Sequence, residues 1–173
     1  MTTIAWDGKT LAADSLATSS GMVVSTNEQK IFLPEGQEWK VNNLPVAAFA
    51  TAGDCGCEFE IAELLKEGIT YSTKYSPAFD FACIIITVDN ECVLLYKDAG
   101  SEFAKISRQD SFYAIGSGYA IATTAMHLGK SAIEAVKAAI QIDTSSGGNI
   151  SVFTTIDEVV MQSAKRLGEI VRG

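Results

Sequence analysis

Histidine is nearly absent from this chain: His127 is the single one among 173 residues. A Ser-His-Asp or Cys-His catalytic system would have to run through that residue, and a multi-histidine metal site is excluded. Cations are scarce too, with 13 Lys and Arg against 21 Asp and Glu, a formal net charge of −8 and a pI near 4.6. Affinity for nucleic acid comes from neutralising phosphates, so this balance disfavours a nucleic-acid partner. No apolar run approaches the ~20 residues needed to span a membrane, so no membrane association is expected. The start lacks a basic stretch followed by an apolar one, so no signal peptide is read and the expected location is the cytoplasm. The four cysteines, Cys55, Cys57, Cys83 and Cys92, are not needed as a disulfide framework in a chain of this length, and a reducing compartment suits them.

What is present is a globular pattern, 47% hydrophobic and 20% charged. With no linker and no low-complexity tract, residues 1–173 are read as one domain. Thr2–Trp6 and Thr10–Ala13 flank Asp7-Gly8-Lys9, a strong hairpin signal. Met22–Ser25, Lys30–Leu33 and Val46–Thr51 read as strands, and a helix is expected from Gly53 or Asp54 to about Lys66, stopped by Gly68. Phe81–Val88 and Cys92–Tyr96 form a second hairpin pattern, and Phe112–Ile115 leads into Gly116-Ser117-Gly118. Tyr119–Leu128 is expected to be helical, Ser131 and Glu134 form a capping box for a helix to about Ile142, and Ile150–Thr154 reads as a strand. The tail from Asp157 reads as mixed and partly helical. This order suggests sheets in the middle with helices outside, rather than alternating βα units.

Four features bear chemistry. Removal of Met1 would leave Thr2 with a free α-amine beside its own hydroxyl, a nucleophile with an attached base. That amine has an unperturbed pKa of about 7.7–8.0, so a useful fraction is neutral near neutral pH. Asp14 ends an apolar strand, where a buried carboxylate needs a partner. Lys30 is a charge at the edge of another apolar strand; beside the amine and hydroxyl it would lower the hydroxyl's pKa, with Asp14 keeping it charged. The fourth feature is a pair of glycine-bearing polar turns, Gly116-Ser117-Gly118 and Asp143-Thr144-Ser145-Ser146-Gly147-Gly148, which let backbone approach closely and deliver hydroxyls and amides. Each charge taken alone fits a solvated strand end, and each turn alone fits an ordinary connection.

Taken together, Thr2-Thr3-Ile4, the hairpin to Asp14-Ser15-Leu16-Ala17-Thr18, Lys30 sixteen residues after Asp14, Ala50–Gly53 before a helix, the Gly-Ser-Gly turn and Asp143-x-x-Ser146-Gly147-Gly148 resemble the proteasome β-type threonine peptidases, HslV included. The resemblance spans roughly residues 2 to 155. It implies an α+β fold, the four-layer αββα sandwich of N-terminal nucleophile hydrolases. It implies Thr2 as nucleophile, Asp14 and Lys30 as a supporting charge pair, and Ser117, Asp143 and Ser146 as holders of the amine and a water. Thr18 would bind substrate main chain as an added strand. A backbone N–H at Gly53, with Thr51 as the alternative, would stabilise the oxyanion. The implied assembly is a homo-oligomeric ring or stacked rings cleaving peptides and unfolded proteins. The resemblance allows a AAA+ unfoldase as partner and a structural monovalent cation, and it implies no metal and no cofactor for catalysis. The first hairpin is shorter than is usual for that family. Two other readings share these residues: an amidase or peptidase of the same chemistry acting on small substrates, and a non-catalytic ring-forming homologue.

Other residues are set aside. Cys55-x-Cys57 could be half a metal site or a thiol nucleophile, but Cys83 and Cys92 lie in apolar strands where buried free cysteine is common. His127 sits between Met126 and Leu128 and reads as a packing or surface residue. Tyr71, Tyr75 and Phe79 flank Pro77 and read as core or inter-subunit contacts.

Overall fold

A computed structural model describes residues 2–155. In chain order the elements are β1 (Thr3–Trp6), β2 (Thr10–Ala13), β3 (Ala17–Ser19), β4 (Met22–Ser25), β5 (Ile31–Phe32), β6 (Lys40–Val41), β7 (Leu44–Gly53) and α1 (Cys57–Glu67). There follow β8 (Phe81–Thr87), β9 (Cys92–Lys97), β10 (Lys105–Gln109), β11 (Tyr113–Gly116), α2 (Tyr119–His127), α3 (Ala132–Ile142) and β12 (Ser151–Thr154). One antiparallel sheet runs β11-β1-β2-β12; a second runs β10-β9-β8-β7-β5, with β6 also paired to β7; β3 and β4 form a separate ribbon.

Side chains alternate across a strand, and here both faces are buried. On β1 the large Ile4 and Trp6 point between the two sheets and meet Ala50, Ile84, Ile86 and Leu94. The small Ala5, with Ala12 and Ala114 beside it, points outward and lets α2 and α3 close on it through Ala122, Met126, Ala135 and Val136. The second sheet does the same in the other direction: Phe49, Phe81, Ile85 and Leu95 pack against Ile61 and Leu65 of α1. A strand buried on both faces reads as an unbroken apolar run, which is why Phe81-Ala82-Cys83-Ile84-Ile85-Ile86 carries no polar residue. Large side chains between the sheets and alanines under the helices therefore fix which elements lie where.

The expected boundaries shift where turn chemistry intervenes. Residues 54–56 make a turn instead of a first helical turn, and α1 begins only at Cys57, with Glu58 Oε2 accepting from Gly56 N at 2.8 Å. β3, β6 and β10 have no counterpart among the expected strands: they are two to five residues long and mostly polar or exposed. The Asp7 turn forms as expected, with Oδ1 accepting from Lys9 N (3.0 Å) and Thr10 N (2.8 Å). Its other oxygen accepts from Ala132 N at 2.8 Å, so the first hairpin satisfies one orphan donor at the start of α3. The tail expected from Asp157 lies outside the described residues. Among the described residues no helix is long and apolar enough to cross a membrane.

The capping box at α3 is present in both directions, Ser131 Oγ accepting from Glu134 N and the Glu134 carboxylate accepting from Ser131 N. Ser131→Ala should therefore cost about 1 kcal/mol of stability, read as a lower denaturant midpoint with unchanged slope. An unchanged midpoint would show that packing against the first sheet alone holds this helix end.

Candidate active site

The end of β2 delivers Asp14 into an interior with no exposed surface. Its carboxylate is surrounded by donors. Oδ1 accepts from Thr3 N (2.9 Å) and from Lys30 Nζ (2.7 Å). Oδ2 accepts from Gly147 N (2.9 Å) and Leu16 N (3.3 Å). Lys30, immediately before β5, is 6% exposed and also donates to Leu16 O at 2.7 Å. Burial pulls the Lys30 ammonium below the ordinary lysine range, against the hydrogen bond and charge of Asp14 and the charge of Glu28, which favour the protonated form.

A second polar cluster sits on the other side of the N-terminal strand. The turn after α3 carries Asp143, whose Oδ2 accepts from Ser146 Oγ (2.6 Å) and from Ser117 Oγ (2.6 Å). Ser117 Oγ is also 3.2 Å from Thr2 O. Ser146 Oγ lies 2.6 Å from Thr3 Oγ1. Since Ser146 gives its proton to Asp143, Thr3 is the donor in that contact. Burial raises the Asp143 carboxyl, but hydrogen bonds from Ser117, Ser146 and Ser145 N outweigh it and hold the group below the usual carboxylate range.

Thr2 lies between these clusters. It is 4% exposed, and its hydroxyl has no hydrogen-bond partner among the described residues. Two clefts open beside it and share the wall Thr2, Ala52, Gly53 and Asp54. The first extends past Lys30, Thr18 and Thr51; the second past Gly116, Ser117 and Tyr96. Gly53 is thus common to both. Its φ of +147° is one that side-chain-bearing residues avoid, and a Cβ there would meet Asp80 O at 2.2 Å. Thr51 lines the first cleft alone, with its hydroxyl donating to Ala82 O at 3.2 Å.

Of the residues expected from the sequence, Thr2, Thr18, Lys30 and Gly53 line the first cleft and Ser117 the second, while Asp14, Asp143 and Ser146 join them through hydrogen bonds. Thr3 was not nominated, although its N–H and hydroxyl reach the two clusters from a single residue. Its signal is positional: successive residues of a strand face opposite ways, so Thr3 faces away from Thr2 and toward whatever holds the strand. The Gly-Ser-Gly turn has a steric reason as well. Gly116 pairs with Thr3 in the sheet, has φ +89°, and a Cβ on it would meet Thr2 O at 2.0 Å.

The residues set aside lie elsewhere in character. His127 is exposed and packs edge-on to Phe112 at 4.7 Å. Tyr75 is buried and Phe79 packs on the α1-side core, while Tyr71 is exposed. Cys57 is buried and its thiol is pushed up to about 11, first by burial, which is the wrong direction for a nucleophile. Among the described residues no group of three or more His, Cys, Asp or Glu is placed to hold a metal ion.

The chain matches no protein-family model and no curated protein. Solved structures do share its architecture. BPH of Thiobacillus denitrificans is 18% identical with a TM-score of 0.59, over 90% of this chain and 98% of that one. The same protein in complex with epoxomicin gives a TM-score of 0.58 at 18% identity and the same coverage. Eukaryotic HslV from Trypanosoma brucei gives 0.57 at 17% identity, over 88% of this chain and 97% of that one. The protein thus has the mixed α/β fold of HslV and BPH, and at these identities the likeness speaks for the fold alone.

The two partners of the buried ion pair should not be equivalent. Asp14→Ala would leave Lys30 and three backbone N–H groups without their acceptor, at a cost of about 3–5 kcal/mol. Lys30→Met should cost less, because Asp14 keeps its three backbone donors. Chemical denaturation of both variants checks this; equal losses would show that the backbone donors do not stabilise the lone carboxylate.

Proposed function

We propose that this chain is the peptidase subunit of a proteasome-like, HslV-like compartmentalised protease, built as an αββα sandwich and acting through Thr2 once Met1 is removed. The observation that carries it is an unspent, nearly buried Thr2 hydroxyl at the junction of two clefts, between the Asp14–Lys30 pair and the Ser117-Asp143-Ser146 cluster. In this scheme the Thr2 α-amine takes the proton from Oγ1 through a water. Oγ1 then bonds to the carbonyl carbon of the scissile peptide. The Lys30 ammonium favours the alkoxide, and the Gly53 N–H is the oxyanion donor. The Thr2 α-ammonium formed in the first step returns the proton to the leaving amine as the C–N bond breaks. Water then hydrolyses the Thr2 ester by the same base. Ser117, Asp143 and Ser146 hold the amine and the water, Thr18 pairs with substrate main chain, and no cofactor takes part.

We further infer a homo-oligomeric ring or stacked rings in the cytoplasm, fed with unfolded chains by a AAA+ ATPase. A head-to-tail interface repeated through a closing rotation gives such a ring, and a chamber restricts an otherwise hazardous activity. Light scattering should give a mass many times the 18.4 kDa of one chain. A monomer would move weight to hydrolysis of small substrates by the same chemistry.

Thr2→Ala should abolish turnover of a fluorogenic peptide, Thr2→Ser should keep part of it, and epoxomicin should add its mass to the N-terminal peptide beginning at Thr2. Lys30→Ala should be as damaging as Thr2→Ala, and the double variant little worse than either, because the two act as one unit. Substantial hydrolysis by Thr2→Ala, or an intact Met1 on active protein, would refute the assignment.

The pH profile separates the amine from the carboxylates. The base must be neutral, so kcat/KM should rise with pH through the amine's pKa, at or below about 8 given the nearby Lys30 charge. Asp143, held below the usual carboxylate range, stays ionised over that span. An acid limb confined to the carboxylate range would argue for Asp143 as the base.

A further inference from the structure

Three carboxylates, Glu28, Asp54 and Glu58, line the first of the two clefts beside Thr2. Two of them are aimed by the backbone: Asp54 Oδ2 accepts from Asp80 N and Glu58 Oε2 from Gly56 N, both at 2.8 Å. None of the three makes a salt bridge among the described residues. The one basic residue in that wall, Lys30, has its charge matched by Asp14 at 2.7 Å. The cleft is therefore negative in its unmatched charge. The charges of Glu58 and Asp54 reach Cys57, adding to the burial that raises its thiol. Leu16 and Phe32 supply apolar wall in the same cleft. A site for substrate is fixed here by Thr2 and its unpartnered hydroxyl, independently of the carboxylates.

Which half of the substrate enters this cleft follows from the proton's route. The leaving amine must receive its proton from the side of the Ser117-Asp143 cluster, and Ser117 lines the second cleft. The acyl half, whose last residue precedes the cleaved bond, then lies in the first cleft, where Ala17 and Thr18 of β3 offer a strand edge. On the reading of Thr2 as nucleophile, we propose that the first cleft selects a lysine or arginine immediately before the cleaved bond, with its aliphatic stem along Leu16 and Phe32 and its cationic head among Glu28, Asp54 and Glu58. A long stem with a charged tip suits such a wall, since the stem buries apolar area while the head reaches carboxylates. An acidic residue in the same place would meet like charge.

The test is a set of otherwise identical peptides carrying Arg, Lys, Leu or Asp before an aminocoumarin, hydrolysed by the assembled protein. Arg and Lys should exceed Leu in kcat/KM by roughly tenfold or more, and Asp by a larger factor, as expected when the wrong charge is actively rejected. Glu58→Gln keeps an oxygen for Gly56 N, and Glu28→Gln alters an exposed side chain; each should shrink the Arg-to-Leu ratio several-fold, and Glu58→Lys should favour Asp over Arg. Peptides of the same sequences, carrying an N-terminal fluorophore in place of the coumarin, are also titrated against Thr2→Ala protein by fluorescence anisotropy. Turnover with Leu or Asp at least equal to Arg, or ratios unmoved by these variants, would overturn the specificity while leaving the peptidase reading intact. Tighter binding of Arg and Lys peptides with no turnover of any peptide by the parent protein would support the cleft's selectivity and overturn the peptidase reading. Equal binding of all four peptides would overturn the selectivity whatever the turnover.

Discussion

A carboxylate sealed from solvent organises this molecule. Asp14 draws donors from three separate stretches of chain: Thr3 from β1, Lys30 from the start of β5, and Gly147 from the turn beyond α3. A buried ion pair yields little net stability compared with apolar residues of the same shape, because desolvation offsets attraction. Its contribution is positional. The charge is tolerated only when all its partners arrive together, so any register error in β1 or β5 leaves an unpaired ion in an apolar interior. Through Thr3 N the same carboxylate also holds the start of β1 in place.

The division of side chains by size makes room for that arrangement. β1 sends Ile4 and Trp6 between the sheets and Ala5 toward the helices. Because the helix-facing side of the first sheet is alanine, α3 comes close, and the turn at its end brings Asp143 and Ser146 to the strand. Thr3 then joins the two polar clusters, its N–H on Asp14 and its hydroxyl on Ser146. The hydroxyl of Thr2, one residue earlier, points to the opposite side and is left without a partner.

Much of the fold was legible because strong periodicity and turn chemistry agree with tertiary structure. The Asp7-Gly8-Lys9 hairpin, the apolar run of β8 and the Ser131 capping box each specify one local answer. The start of α1 was not legible, because Asp54 reads as a helix opener, whereas residues 54–56 form a turn and the Asp54 carboxylate accepts from Asp80 N. Short strands such as β6 exist through pairing with a distant strand and have almost no local signal. Site residues were legible when chemistry made them conspicuous, as with charges in apolar strands. Thr3 was illegible because a threonine in a strand is ordinary; its two hydrogen bonds depend on partners 11 and 143 residues away. The clefts were equally hidden, since Glu28, Asp54 and Glu58 look like surface charge until β5, β7 and α1 gather them.

The charges around the first cleft bear on Lys30 as well as on anything that enters. Burial pulls the Lys30 ammonium below the ordinary lysine range; the hydrogen bond and charge of Asp14 work against that, and Glu28 adds to them from the cleft wall. A cationic side chain brought into the cleft works in the opposite sense, because a second positive charge nearby favours the neutral amine. Without compensating carboxylates, a second positive charge in the cleft would weaken the Lys30 ammonium. With Glu28, Asp54 and Glu58 present, the incoming charge is matched where it lands, and its field at Lys30 is reduced. The same carboxylates thus lower the cost of placing a basic residue beside Lys30, which is the condition any selectivity for Lys or Arg at this position has to meet.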